Sequence, residues 1–401
     1  MHIKNASILY GKDLEFIQSG YAVIENGVFT KIGNGSIEHD DNVHDAEGLL
    51  MIPGLINAHT HIADSIAKDI AADRSFNERI HPVYGIKRSI LNKSKQKHLS
   101  TYMQAAALSM VKKGITTFAD FREGAIDGIT LLKNALNDVE IRCLGLGRVE
   151  YYFDTDSAKN NVDFPEDVKK TAESVLRACD GFGISGANEY SKNALEYFAK
   201  TARSHNKLLG IHAAEALESC RYSMENFGSS EVGRIVTHMM PDFVVHMTNA
   251  SDDDIKLVAS KNIGIVVCPR ANGVLGVGVP RIASMLKHNC TVAIGTDNVM
   301  LNSPDLFREL DYIWKVCRAV EHEFVSAREL LKMVTVNAAK ILKLDKLGCI
   351  AEKMIVDAVF IDTHSLDLEP MHDPYTSIVH RASESSIKAV MIGGRFVHGS
   401  L

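Results

Sequence analysis

Short apolar stretches alternate with helical patterns through the middle of this 401-residue chain, and that rhythm constrains its fold more than any other feature. Eight stretches read as strands: Leu55–His59, Ile115–Asp120, Ile141–Arg148, Gly181–Ser185, Leu208–His212, Phe243–His246, Gly264–Cys268 and Val292–Asp297. Helical patterns lie between most of them, as at 167–178, 191–204 and 252–259. Short apolar runs without alternation suit strands covered on both faces, as in a parallel sheet wrapped by helices. Sustained over roughly 290 residues, the alternation predicts an α/β fold of the (β/α)8 TIM-barrel type, which needs about 250. An open doubly wound sheet would instead place a glycine-rich phosphate turn after its first strand, and none is present. The long segment 62–113 between the first two strands reads as an insertion covering the top of the barrel.

Both ends of the chain look different. Ile3–Tyr10, Gly20–Glu25 and Val28–Ile32 read as strands around the hairpin signal Asn26-Gly27, and Met354–Asp362 and Ile387–Val397 read as strands around Gly393-Gly394. The expectation is a composite β-sandwich domain from residues 1–51 and 347–401, with 52–346 as the barrel. A net charge of -6 argues against a nucleic-acid partner, which would need a clustered basic surface. No apolar run approaches the about 20 residues that span a bilayer, so no membrane association is expected. The N-terminus lacks a secretory signal pattern. Seven cysteines, odd in number and without a C-x-x-C pair, suit free thiols in a reducing cytoplasm.

Polar residues gather at the strand ends. His59 and His61 close the first strand on one face, since residues two apart on a strand point the same way. His212 ends the fifth, His246 the sixth and Asp297 the eighth. Stepping back by two from these ends gives Asn57, Gly210, Val244 and Gly295, so one face of each strand leads to its polar terminus. All lie at carboxyl ends, where barrels carry their chemistry. Singly, each has a structural reading: a hydrogen-bonded histidine, a helix cap at Asp297, a first-turn acid at Glu215. Their concordance predicts instead a divalent metal site, with neutral imidazoles among its donors. The other histidines, such as His39, His98 and His322, are read as structural.

The motifs Pro53-Gly-Leu-Ile-Asn-Ala-His-Thr-His61, Gly114-Ile-Thr-Thr-Phe-Ala-Asp120, His212-Ala-Ala-Glu215, Val245-His246, Gly295-Thr-Asp297 and Thr335-Val-Asn-Ala-Ala339 carry a resemblance. In that order they resemble the amidohydrolase superfamily, in the branch of S-adenosylhomocysteine/methylthioadenosine deaminases, cytosine deaminases and triazine chlorohydrolases. The resemblance implies His59, His61, His212 and Asp297 as ligands of one divalent metal ion, zinc or alternatively iron. Binuclear relatives place a bridging carboxylated lysine or glutamate at the end of strand four; here that end reads Ser185-Gly-Ala-Asn188, which implies one ion. The ion would lower the pKa of a bound water so that hydroxide exists near neutrality. Asp297 would accept the water proton and later pass it to the leaving group, Glu215 would protonate a ring nitrogen, and His246 would stabilise or orient the attacking oxygen or the substrate's polarised group.

The expected activity is hydrolysis of a non-peptide C–N bond, by deamination of a purine, pyrimidine or related small heterocyclic substrate. Alternatives are cyclic-amide opening, ring C–Cl hydrolysis, or a catalytically silent ligand-binding relative. Arg122, Glu123, Glu189, Arg270 and Asn272 are candidate substrate-reading residues, with a rim network of ion pairs as the competing reading. Arg270 has the chemistry to receive a carboxylate or phosphate in a bidentate manner, and His81 and Lys87 are candidates for closing over a ligand. A homodimer is the usual state of such relatives.

Overall fold

The computed structural model describes residues 1–35 and 43–401; His39 lies outside them. Barrel strands β1 (Leu55–His61), β2 (Ile115–Arg122), β3 (Arg142–Gly147), β4 (Gly181–Ile184), β5 (Leu208–Ala213), β6 (Phe243–His246), β7 (Gly264–Val267) and β8 (Val292–Ile294) fall where the apolar runs predict. The eighth run is broken: a separate β9, Asp297–Asn298, follows after two residues. Together they form one curled parallel sheet of nine strands in sequential order, with β9 paired to β1 through Asp297↔Thr60 and Asn298↔His61. Only Gly295 and Thr296 separate β8 from β9, so the two edges of the sheet are joined by a single step of chain.

The break at β8 has a steric cause. A Cβ on Gly295 would lie 2.6 Å from His59 Cβ and 2.8 Å from both the N and O of His59. Strands β8 and β1 therefore pass at backbone contact, and only glycine permits it. Gly295→Ala must part them, at a cost on the order of 3 kcal/mol. The expected result is a lower denaturant midpoint and weaker metal binding, since His59 sits on the displaced strand.

Small residues also shape the barrel interior. A Cβ on Gly183 would meet the Phe121 ring at 2.7 Å, and one on Gly210 would meet Phe243 at 2.4 Å. The missing side chains let Phe121 fill the space beneath the strand ends, with its ring centroid 4.4 Å from that of His59 and 5.1 Å from that of His212. The surrounding helices begin on side-chain caps. Ser191 accepts from Ala194 N–H to start Lys192–Ser204, and Ser251 forms a capping box with Asp254 to start Asp252–Ser260. Segment 62–113 folds as a 3-10 turn (Ile62–Ala67) and three helices, Phe76–Ile80, Ile86–Lys93 and Gln96–Lys112.

The two chain ends do assemble together. Their strands, with Leu49–Pro53 beside both His2–Tyr10 and Ala358–Asp362, pair in one eight-stranded sheet of mixed direction. The pairing thus links the expected sandwich strands into one sheet rather than two. Arg142 ties it to the barrel, its guanidinium lying 3.0 and 3.1 Å from the Asp357 carboxylate. All seven cysteines are free, and no helix among the described residues is long and apolar enough to cross a membrane.

Candidate metal centre and active site

The strand ends bring His59, His61, His212, His246 and Asp297 together in two overlapping groups. His59, His61 and His212 form one, and His59, His246 and Asp297 the other; within each, the donor atoms lie inside 4.8 Å of one another. His59 Nε2 is 3.3 Å from Asp297 Oδ1, His61 Nε2 is 3.6 Å from the same oxygen, and His61 Nε2 is 3.4 Å from His212 Nε2. A tetrahedral ion with bonds of about 2.0–2.1 Å holds its donors about 3.3–3.4 Å apart. The spacing fits such an ion.

Hydrogen bonding supports the fit. Nδ1 of His61 is 3.0 Å from Phe121 O, and Nδ1 of His212 is 2.8 Å from Ile184 O. Each ring must donate there, because a carbonyl only accepts. Their two Nε2 lone pairs therefore face each other, an arrangement that needs a cation between them. His59 has no hydrogen-bond partner at either nitrogen, and Asp297 Oδ2 has none, although all are buried. Burial holds the His59 and His212 pKa values down to about 3 and that of His61 well below its ordinary value. Neutral imidazoles are the form that ligates metals.

His246 reaches the cluster by a route the sequence does not reveal. Phe243 and Val245 belong to the same buried cluster as Phe121, whereas Val244 belongs to the one that holds Ile255 and Val258 of the following helix. Alternation from Val244 would send His246 outward, against expectation for a site residue. A positive φ of 78° at His246 re-aims the ring, which lies 5.2 Å from that of His212. Asp297 also has a positive φ, 61°, and both are strained conformations for non-glycine residues.

Glu215 lies beyond β5, its carboxyl 3.5 Å from His246 Nε2 and its Oε1 unpartnered. Burial, reinforced by the charges of Asp297 and Glu231, pushes its pKa well above the ordinary value. Glu231 anchors this turn by accepting from Ala214 N–H at 2.9 Å. Asn272 Nδ2 lies 3.1 Å from His246 Nδ1. If the amide donates, as this placement of its nitrogen requires, His246 carries its proton on Nε2, toward Glu215. A cavity of about 470 Å³ opens over the cluster, lined by His61, His212, Glu215, His246 and Asp297, and by Glu189.

The other expected substrate-reading residues sit elsewhere. Arg122 is buried against Asp120 at 3.4 Å and pairs with Glu123, and neither Arg122 nor Glu123 lines this cavity. Arg270 is engaged with buried Glu309 at 3.4 Å, and Asn272 serves His246. Arg122 and Glu123 instead line a second cavity, which shares Lys87 and Arg148 with the first. His81 and Lys87 of the insertion do line the cavity. Sequence reading misses Asp64, Glu231 and Asn298, whose partners are remote in the chain; the signal available was an acid in a helical context for the first two and adjacency to Asp297 for the third.

Fold and site together define a metal-dependent hydrolase that works at the carboxyl ends of a barrel sheet. The amidohydrolase family model matches residues 50–397, and the chain belongs to that family. It is 33% identical to a protein of Methanothermobacter thermautotrophicus over 98% of each chain. With 5-methylthioadenosine/S-adenosylhomocysteine deaminase of Thermococcus sibiricus it shares 28% identity, covering 98% of this chain and 93% of that one. Its fold matches the zinc-containing crystal structure of an adenosine deaminase from Xanthomonas campestris with a TM-score of 0.86, at 18% identity over 98% of this chain and 92% of that chain. The chain is thus a metal-dependent hydrolase of C–N bonds acting on a small molecule.

Proposed function

We propose that the enzyme deaminates a purine, pyrimidine or related heterocycle, using one divalent ion, zinc or alternatively iron, held by His59, His61, His212 and Asp297. The catalytic unit is residues 52–346, and the sheet formed by 1–51 and 347–401 braces it. When bound, the ion supplies Lewis-acid activation of water at neutral pH. Asp297 Oδ2 takes the proton released as water adds to the ring carbon, and later delivers a proton to the departing amine. Glu215 protonates the adjacent ring nitrogen, and that proton stays on the lactam product. His246 donates from Nε2 to the oxygen that adds. As the C–N bond breaks and ammonia leaves, the added hydroxyl becomes the carbonyl and its proton returns to Glu215, which restores the acid. Glu189, which lines the same cavity, reads another part of the substrate.

The observation that carries this reading is the Glu215 carboxyl, buried, unpartnered at Oε1 and set in the cavity wall beside His246. A buried acid kept protonated beside the reacting atoms is what addition across a ring C=N bond requires. A cavity of about 470 Å³ has room for a nucleobase or nucleoside. The test is ammonia release across nucleobases, nucleosides, pterins and cyclic ureides, with and without a chelator. At least one aminated heterocycle should yield chelator-sensitive ammonia; ring opening without ammonia would replace this reading by cyclic-amide hydrolysis.

A further inference from the structure

We propose that Lys87 is a positioning residue that couples the seating of the insertion to the metal ligands. This inference rests on the reading of His61 and Asp297 as ligands. Lys87 projects from helix Ile86–Lys93 and is only 9% exposed at its side chain. Its Nζ lies 2.7 Å from Glu123 Oε1 and 3.7 Å from Asp64 Oδ2.

Each of these carboxylates leads to a different ligand. Glu123 Oε1 is 3.1 Å from Nδ1 of His61, the nitrogen opposite the one that faces the cluster. Asp64 accepts from Asn298 Nδ2 at 2.6 Å and from Met300 N–H at 3.1 Å. Asn298 follows Asp297 and pairs with His61 across β9 and β1. One buried ammonium therefore sits between two carboxylates, one beside His61 and the other bonded to the residue that follows Asp297. No other residue of the insertion helices has an ion pair with either carboxylate among the described residues.

At His61 the Glu123 carboxylate shares the Nδ1 side of the ring with Phe121 O, where its charge raises the basicity of the ring, and losing an outer partner of a ligating imidazole costs 10- to 100-fold in metal affinity. Without Lys87, Glu123 keeps Arg122 and Arg148 as partners and is free to swing toward them, away from His61. Coupling of this kind is reciprocal: what the insertion contributes to metal binding, the metal returns to the insertion.

The experiment measures Zn2+ affinity by chelator competition, together with hydrogen exchange over residues 76–93, on the full chain stripped and reloaded with Zn2+. Lys87→Met should weaken Zn2+ binding 10- to 100-fold. In the wild type Zn2+ should slow exchange across 76–93, and in Lys87→Met that protection should largely vanish. Lys87→Arg should recover part of both. Glu123→Gln, which enters the same relay from its other end, should weaken Zn2+ by a similar factor and serves if Lys87→Met does not fold. A variant that melts lower yet binds Zn2+ as the wild type does would reduce Lys87 to a structural ion pair and overturn the proposal. Failure of the wild type to bind Zn2+ would overturn the ligand reading itself, and the proposal with it.

Discussion

Glu215→Gln should keep the metal and lose turnover by about 10²- to 10⁴-fold, the contribution typical of a positioned general acid. Glutamine preserves the shape and a hydrogen-bond donor but has no proton to transfer. Glu215 belongs to neither of the two donor groups, so metal content should not move. Stability gives an independent check. The folded-state pKa of Glu215 is raised above its ordinary value of 4.5 because burial, Asp297 and Glu231 all oppose its charge. A raised carboxyl stabilises nothing as pH climbs: the unfolded chain releases this proton first, so wild-type stability falls between pH 4.5 and the folded pKa. Glutamine does not titrate. Metal-free Glu215→Gln should therefore gain stability relative to wild type across that interval, as read from denaturant midpoints at several pH values. Near-normal turnover in this variant would remove the acid role assigned to Glu215.

The barrel and its strand-end histidines were legible because both rest on local pattern. Apolar runs mark the strands, and in a parallel sheet every strand end lies on one rim, so His59, His212 and Asp297 converge whatever the details of the helices. What stayed hidden depends on contacts between distant residues. Asp64 meets Asn298 across 234 positions of sequence, and Arg270 meets Glu309 across 39. Arg122 ends β2 and Glu123 follows it, a position that suits substrate readers, but Glu123 is paired with Lys87 of the insertion helix and with Arg122. For His246 strand parity from Val244 points away from the site, and the left-handed backbone at His246 offsets it. Turn conformations at single residues leave no mark on hydrophobic periodicity. The terminal strands likewise announce themselves individually, but their partners in the sheet are set by pairing between the two chain ends.

His212→Ala should cost the most. Metal-stripped wild type titrated with Zn2+ should take up one equivalent per chain, because the end of β4 reads Ser185-Gly-Ala-Asn188, without the bridging lysine or glutamate that the resemblance assigns to binuclear relatives. Two equivalents in fully active protein would refute the single-ion reading. In His212→Ala the Nε2 that faces His61 at 3.4 Å is gone, and the affinity should fall by at least about 10³-fold, with turnover lost alongside it. The stabilising effect of the ion should disappear too: at a thousandfold excess over Kd, binding to the folded state contributes about 4 kcal/mol, which the variant would not show at the same Zn2+ concentration. The pH dependence separates this site from a chance cluster of surface histidines. Exposed imidazoles surrender a metal as pH falls through about 6.5, where protons compete for the same lone pairs. At His59 and His212 burial holds the pKa to about 3, so protons compete only at much lower pH, and Zn2+ affinity should stay nearly flat from pH 8 to 6. A tenfold loss over that interval would mean that the histidines are solvated, and that the buried cluster is not where the metal binds.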